Sequence, residues 1–113
     1  MTETEYVVVL TTLSVEADAE AFAEAIVGSR VAACVNILPP MQSVYRWHDG
    51  VERAPERQVV IKTSRDRLGP LWERVRALHS YEVPEFIVIP IVDGHAPYLR
   101  WIGESTRAGN EIW

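Results

Sequence analysis

Hydrophobic and polar positions along the chain switch repeatedly between strand-like and helix-like spacing. Tyr6 to Leu10 is an unbroken apolar run rich in β-branched residues, and Thr11 and Thr12 extend it, which predicts a central strand buried on both faces. Ser14 then offers an N-cap, and Glu16 and Asp18 put negative charge where a first turn belongs. Ala19, Phe22, Ala23, Ile26 and Val27 recur at helical spacing, so an amphipathic helix is expected to end near Gly28. From Val31 to Trp47 the pattern is strand-like again, interrupted by Pro39-Pro40, whose missing amide donors require a bulge or bend. His48-Asp49-Gly50 predicts a tight turn, with Asp-Gly suited to positive φ, and Val51 to Thr63 returns as the partner strand of a long hairpin.

Leu68, Leu71, Val75 and Leu78 form one stripe, predicting a second helix that runs to about His79 with Pro70 in its first turn. After Val83-Pro84, Phe86 to Val92 reads as a fourth strand, which Pro90 pushes to an edge or a bulged position. Asp93-Gly94 turns the chain, and Pro97 starts a short third helix that carries Tyr98, Leu99, Trp101 and Ile102. The order strand, helix, strand, strand, helix, strand implies an α+β domain of the ferredoxin-like, split βαβ type with an extra C-terminal helix. No linker or repeat divides residues 1–113, so a single domain is expected.

Composition narrows the partners. At 48% hydrophobic, 113 residues supply enough apolar side chains for a core, and neither low hydrophobicity nor high net charge argues for disorder. A net charge of -5, with Lys62 the sole lysine, argues against a nucleic-acid partner, because phosphate binding draws on clustered Lys and Arg. The polar start, Met1 to Glu5, does not resemble a secretory signal. The longest apolar run, Phe86 to Val92, is far short of the roughly 20 residues that cross a bilayer, so no membrane partner is expected. A lone Cys34 without zinc-ligand spacing fits a reducing compartment, and the cytoplasm is the expected location.

Candidate chemistry is sparse. Ser43 lacks a neighbouring His-Asp set, no glycine-rich phosphate loop occurs, and the carboxylates are scattered, so no enzyme is expected. Cys34 reads as a small core residue in preference to a soft copper ligand. His79 reads equally as a metal ligand and as a residue that finishes a helix. His48 and His95 sit beside turns, without a second donor at ligand spacing, as solvated loop residues do. Tyr45, Trp47, Trp101 and Trp113 are too many large aromatics for one small core, and burial between subunits explains them better than ligand stacking does. Lys62 and Glu85 are charges at the ends of apolar strands, where pairing with each other would relieve the cost of burial.

Several stretches together resemble the CutA family: Val9-Leu10-Thr11-Thr12, Ala32-Ala33-Cys34-Val35-Asn36-Ile37, Ser43-Val44-Tyr45-Arg46-Trp47, Ile61-Lys62-Thr63, His79-Ser80-Tyr81-Glu82-Val83-Pro84-Glu85 and Tyr98-Leu99-Arg100-Trp101-Ile102. Their order and spacing cover nearly the whole chain. The resemblance implies a ferredoxin-like homotrimer, related in shape to the PII signalling proteins and linked to tolerance of copper and other divalent cations. Family members described as copper binders carry a cysteine in the first strand and a His-His pair before the Tyr-x-x-Pro-Glu segment. The matching positions here are Thr11, Leu78 and His79, so only His79 is expected to hold copper(II) or another divalent cation. Tyr45, Trp47, Lys62, Tyr81, Glu85 and Trp101 are then the candidate ligand-binding or inter-subunit residues. A PII-like sensor of a small ligand and a trimeric scaffold for a partner protein are the alternative functions.

Overall fold

The computed structural model describes residues 5–107 of the chain, so Trp113 lies outside the described residues. The elements follow the order β1 (Tyr6–Ser14), α1 (Ala19–Gly28), β2 (Cys34–Trp47), β3 (Gly50–Ser64), α2 (Leu68–Leu78), β4 (Ile87–Pro90) and α3 (Ala96–Ser105), with one 3-10 turn, Arg65–Arg67, leading into α2. The four strands form one antiparallel sheet in the order β2-β3-β1-β4. This is the split βαβ arrangement expected from the pattern, with α3 added.

The sheet has a covered and an open side. Val7, Val9 and Thr11 of β1 lie opposite Thr63, Ile61 and Val59 of β3, all fully buried beneath the helix layer. Phe22 and Ile26 of α1 and Leu71 and Val75 of α2 close over them as the core. The intervening residues, Val8, Leu10 and Thr12 against Lys62, Val60 and Gln58, face the other way, and most are only half-buried. β1 is therefore central, as expected, but is not equally buried on both faces. α3 packs on this second side at one end only. Gly103 permits the close approach, since a Cβ there would meet the Tyr6 hydroxyl at 3.2 Å. Ser64 and Thr106 join the same end through a 2.6 Å hydrogen bond between their hydroxyls. The rest of the face stays open.

Several element ends differ from expectation for local reasons. Asp18, not Ser14, caps α1: its carboxylate accepts from the Ala21 amide at 3.0 Å, while the Ser14 hydroxyl accepts from Glu16 in the preceding turn. The two-residue hairpin loop is His48-Asp49, and the positive φ, 56°, falls on His48 and on no glycine. β4 is shorter than the apolar run, covering Ile87–Pro90 on the edge of the sheet, and Pro90 sits there because an edge tolerates a missing donor. α2 ends at Leu78, with His79 as its C-cap. No described helix is long and apolar enough to cross a membrane.

The proline pair does produce a bulge. Ile37 pairs with Val59 and Pro40 with Arg57, so Leu38 and Pro39 together oppose Gln58. The Arg57 guanidinium donates to the Leu38 carbonyl at 3.2 Å, meeting an acceptor that the broken ladder leaves over. Because side chains alternate, one extra residue exchanges the faces: Cys34 and Asn36 lie on the open side before the bulge, and Met41, Ser43, Tyr45 and Trp47 lie there after it.

Among the described residues the core contains one orphan. The Thr11 hydroxyl is fully buried and has no hydrogen-bond partner among the described residues. A buried hydroxyl without a partner costs about 1–3 kcal/mol. Thr11→Val keeps the branched shape and removes that cost, so it is expected to stabilise the protein by about 1 kcal/mol in urea denaturation at matched protein concentration. A loss of stability would show that the hydroxyl has a partner the fold conceals.

Candidate functional site

The hairpin formed by β2 and β3 outruns the rest of the sheet. β1 pairs with β3 only from Glu56 to Ser64, so Gly50 to Pro55 and the matching part of β2 continue as a two-stranded arm. On the open side, the segment that follows α2 runs past the base of this arm. Between them lies a groove of about 790 Å³, whose lining includes Tyr45, Trp47, Glu56, Gln58, Tyr81 and Glu85.

Side-chain hydrogen bonds hold the groove's far wall. His79 Nε2 stands 2.6 Å from the Thr12 carbonyl, and its Nδ1 accepts from the Tyr81 amide at 3.1 Å. A carbonyl only accepts and an amide only donates, so these partners assign the ring proton to Nε2. The Tyr81 hydroxyl donates to Glu56 at 2.6 Å. The Gln58 amide nitrogen donates to the Thr11 carbonyl at 2.8 Å and to Glu85 at 3.0 Å. The His79 ring also meets Phe22 of α1 edge-on and lies 4.7 Å from the Tyr81 ring, centroid to centroid. The segment is thus tied to the helix layer at one end and to the sheet along its length.

Of the residues singled out from the sequence, Tyr45, Trp47, Tyr81 and Glu85 come together in this groove. Tyr45 and Trp47 are 41% and 48% exposed, as expected of aromatics that one subunit's core does not cover. Lys62 and Trp101 lie elsewhere. Lys62 lies near the Ser64 end of β3 on the open face, between Val8 and Cys34, with its ammonium 5.8 Å from the Tyr98 ring centroid. Trp101 lies on α3 beside Tyr98 and lines a second hollow, of about 450 Å³, with Val27, Arg30 and Glu104. The expected pairing of Lys62 with Glu85 is not formed: Glu85 accepts from Gln58, while Lys62, near the end of β3 as expected, stands over the Tyr98 ring. Cys34 is half-buried on the open face. Glu56 and Gln58 are absent from the sequence-based candidates. Their alternation with Ala54 along β3 is the only signal in the chain that places them beside Tyr45, and it becomes legible only with the bulge in register.

The donors expected for copper are not assembled within one subunit. Both ring nitrogens of His79 are engaged, the Thr11 hydroxyl lies in the core, and Leu78 has no donor atom. Among the described residues, no group of three or more His, Cys, Asp and Glu side chains is placed to hold a metal ion.

A family model described as CutA1 divalent ion tolerance protein matches residues 7–105. The chain is 44% identical to the divalent-cation tolerance protein CutA of Thermus thermophilus over 99 residues, which are 88% of this chain and 96% of that protein. It is 47% identical to the chloroplastic protein CutA of Arabidopsis thaliana over 85 residues, which are 75% of this chain and 47% of that protein. The solved structure of the Thermus thermophilus protein superposes with a TM-score of 0.86 over 89% of this chain and 98% of its own. CutA1 from the psychrotrophic bacterium Shewanella sp. SIB1 superposes with a TM-score of 0.90 at 33% identity, over 95% of this chain and 100% of that one. A structure from Archaeoglobus fulgidus, described as a periplasmic divalent cation tolerance protein, superposes with a TM-score of 0.85 at 31% identity, over 90% of this chain and 99% of that one.

The wall of the groove has a titration signature. Burial first, and then the hydrogen bond to Glu56 and the charge of that carboxylate, push the Tyr81 phenol well above the usual tyrosine range. The folded state therefore holds this proton more tightly than the unfolded chain does. The resulting stabilisation is fully present below about pH 10, the unfolded tyrosine value, and declines as the pH rises beyond it. Tyr81→Phe is expected to flatten the alkaline fall in stability and to remove one late step from the ultraviolet titration of the tyrosines. Loss of a step near pH 10, the ordinary tyrosine value, would show instead that Tyr81 ionises as a free phenol does.

Proposed function

Because the chain belongs to the CutA1 divalent ion tolerance family, we propose that it serves divalent-cation tolerance as a non-catalytic, cytoplasmic homotrimer of PII-like shape. The projecting hairpin carries this reading. Val44, Tyr45, Trp47 and Val51 are exposed along it, and at the other edge of the sheet Ile87 and Ile89 extend the open face beyond Val8 and Leu10. Apolar surface on this scale, joined to two free sheet edges, invites association, and a closed cyclic assembly covers it without leaving an edge for further growth. A half-buried, unpaired Cys34 is compatible with a reducing compartment, although relatives named for the chloroplast and the periplasm have the same fold.

The metal part of the function is framed by the donor set. The residues around His79 do not fit a resident copper centre in one subunit, because a metal at Nδ1 must displace the Tyr81 amide and, among the described residues, no group of three or more His, Cys, Asp and Glu side chains is placed to hold it. Copper(II) is accordingly a weak ligand that competes with this hydrogen bond. A PII-like role as a small-ligand sensor is the second reading, favoured by the gathering of Tyr45, Trp47, Tyr81 and Glu85 around one groove.

Measurements of assembly and of copper binding test these readings. Light scattering at low micromolar concentration is expected to give about three chains per particle. Trp47→Ala is expected to weaken the assembly by about 2 kcal/mol, while Glu20→Ala on the exposed side of α1 leaves it unchanged. A monodisperse monomer, or a Trp47→Ala protein that sediments and melts as the parent does, contradicts the hairpin's role. In calorimetric titration at neutral pH, copper(II) is expected to bind more weakly than about 1 µM, and His79→Ala to bind it more weakly still. Equal binding by both proteins removes His79 from the site.

A further inference from the structure

The projecting hairpin carries opposite charges on its two faces. After the bulge, Met41, Ser43, Tyr45 and Trp47 stand opposite Glu56, Ala54, Glu52 and Gly50, so the groove face bears aromatics and the carboxylates of Glu52 and Glu56. The alternate residues turn outward: Val44 stands opposite Arg53 and Arg46 opposite Val51, so this face bears arginines. Arg46 and Arg53 are exposed and make no ion pair among the described residues, whereas Arg57 is committed to the Leu38 carbonyl.

Glu56 is only 8% exposed, and its hydrogen bond in the fold comes from the uncharged Tyr81 hydroxyl. Among the described residues, no Lys, Arg or His lines the groove around it. A carboxylate withdrawn this far from water is costly unless a cation meets it. The neighbouring faces of Tyr45, Trp47 and Tyr81 favour the same kind of occupant, since aromatic rings attract a guanidinium stacked on them.

We propose that the groove is an incomplete site, and that Arg46 or Arg53 from the outward face of a second copy's hairpin completes it by pairing with Glu56 among the aromatics. Each copy supplies on one face of its arm the cation that the other face of the next copy lacks. Such a contact is head to tail, and it propagates around a ring until the ring closes. This inference rests on the homotrimer reading and adds to it the residues that meet.

The test is sedimentation equilibrium on the full chain over a range of concentration and salt, for the parent, Glu56→Gln, Arg46→Ala, Arg53→Ala and the two double variants. Glu56→Gln keeps an acceptor for Tyr81, and circular dichroism verifies that each variant is folded. The expected result is a tenfold or greater rise in the concentration at which Glu56→Gln dissociates. A matching rise is expected in one arginine variant, with little further change when that variant is combined with Glu56→Gln. High salt is expected to weaken the parent more than Glu56→Gln. Unchanged assembly in Glu56→Gln, or fully additive effects with both arginine variants, overturns the proposed pairing while leaving the trimer standing. A parent that is monomeric throughout overturns the homotrimer reading itself. Agmatine, a free guanidinium probe, is expected not to bind the parent trimer in calorimetry. Stoichiometric binding that is lost in Glu56→Gln would show a groove open to small cations and overturn the second copy as its occupant.

Discussion

Leu38 and Pro39 of β2 face the single Gln58 of β3, and the side of the sheet on which every later residue of β2 lies follows from that extra residue. An uninterrupted ladder would turn Val44 and Arg46 toward Tyr81 and leave Tyr45 and Trp47 on the opposite face. Prolines at 39 and 40 exclude that ladder, because neither has an amide hydrogen to offer it. The Arg57 guanidinium then stabilises the irregular geometry by meeting the Leu38 carbonyl. The aromatic and acidic character of the groove, and the basic character of the arm's other face, both depend on this local break.

The second constraint lies along β1. β4 pairs with β1 only from Val7 to Leu10, and beyond Leu10 the carbonyls of Thr11 and Thr12 are met by the side chains of Gln58 and His79. The Tyr6 carbonyl accepts from Ile91 on the β4 edge, so by alternation the Thr12 carbonyl faces that edge too, and His79 meets it there in place of a strand. Each such hydrogen bond adds only about 1 kcal/mol net, yet together with the Tyr81 and Glu56 pair they hold the segment from His79 to Glu85 in one position against the arm. His79 is therefore a structural tie in the single subunit, and the hydrogen bonds that position it compete with metal coordination.

The fold buries one side of its sheet well and leaves the other largely uncovered. α3 covers only the end near Tyr6 and Ser64, where Gly103 lets it approach. The uncovered remainder, the arm and the edge strand β4 are continuous surface, and they share the apolar side chains that a single core has no room for. The chain belongs to the CutA1 family, and a single subunit of it leaves this surface uncovered.

Much of this was legible in the residues themselves. Helical spacing in Phe22 and Ile26, and in Leu71 and Val75, identified the faces that close the core, because a buried stripe must recur with the helix period. The apolar run from Tyr6 marked the central strand, and the proline pair marked a break in β2. Tyr45 and Trp47 were visible as aromatics in excess of one small core's needs, Glu85 as a charge beside an apolar strand, and Tyr81 only through the family resemblance. Tertiary structure alone decided which of them meet. Lys62 lies on β3 and Glu85 in the segment before β4, with β1 between those two strands, and Gln58 reaches Glu85 while Lys62 faces Tyr98, a choice set by register and not by charge. Asp18 displaced Ser14 as the helix cap because the chain turns once more before α1 begins. Glu56 became a site residue only when a one-residue bulge and a hydrogen bond from Tyr81, 25 positions away, put it at the base of the groove. A period in the sequence reports which way a side chain points relative to its own strand, whereas the partner it faces depends on contacts between segments far apart in the chain.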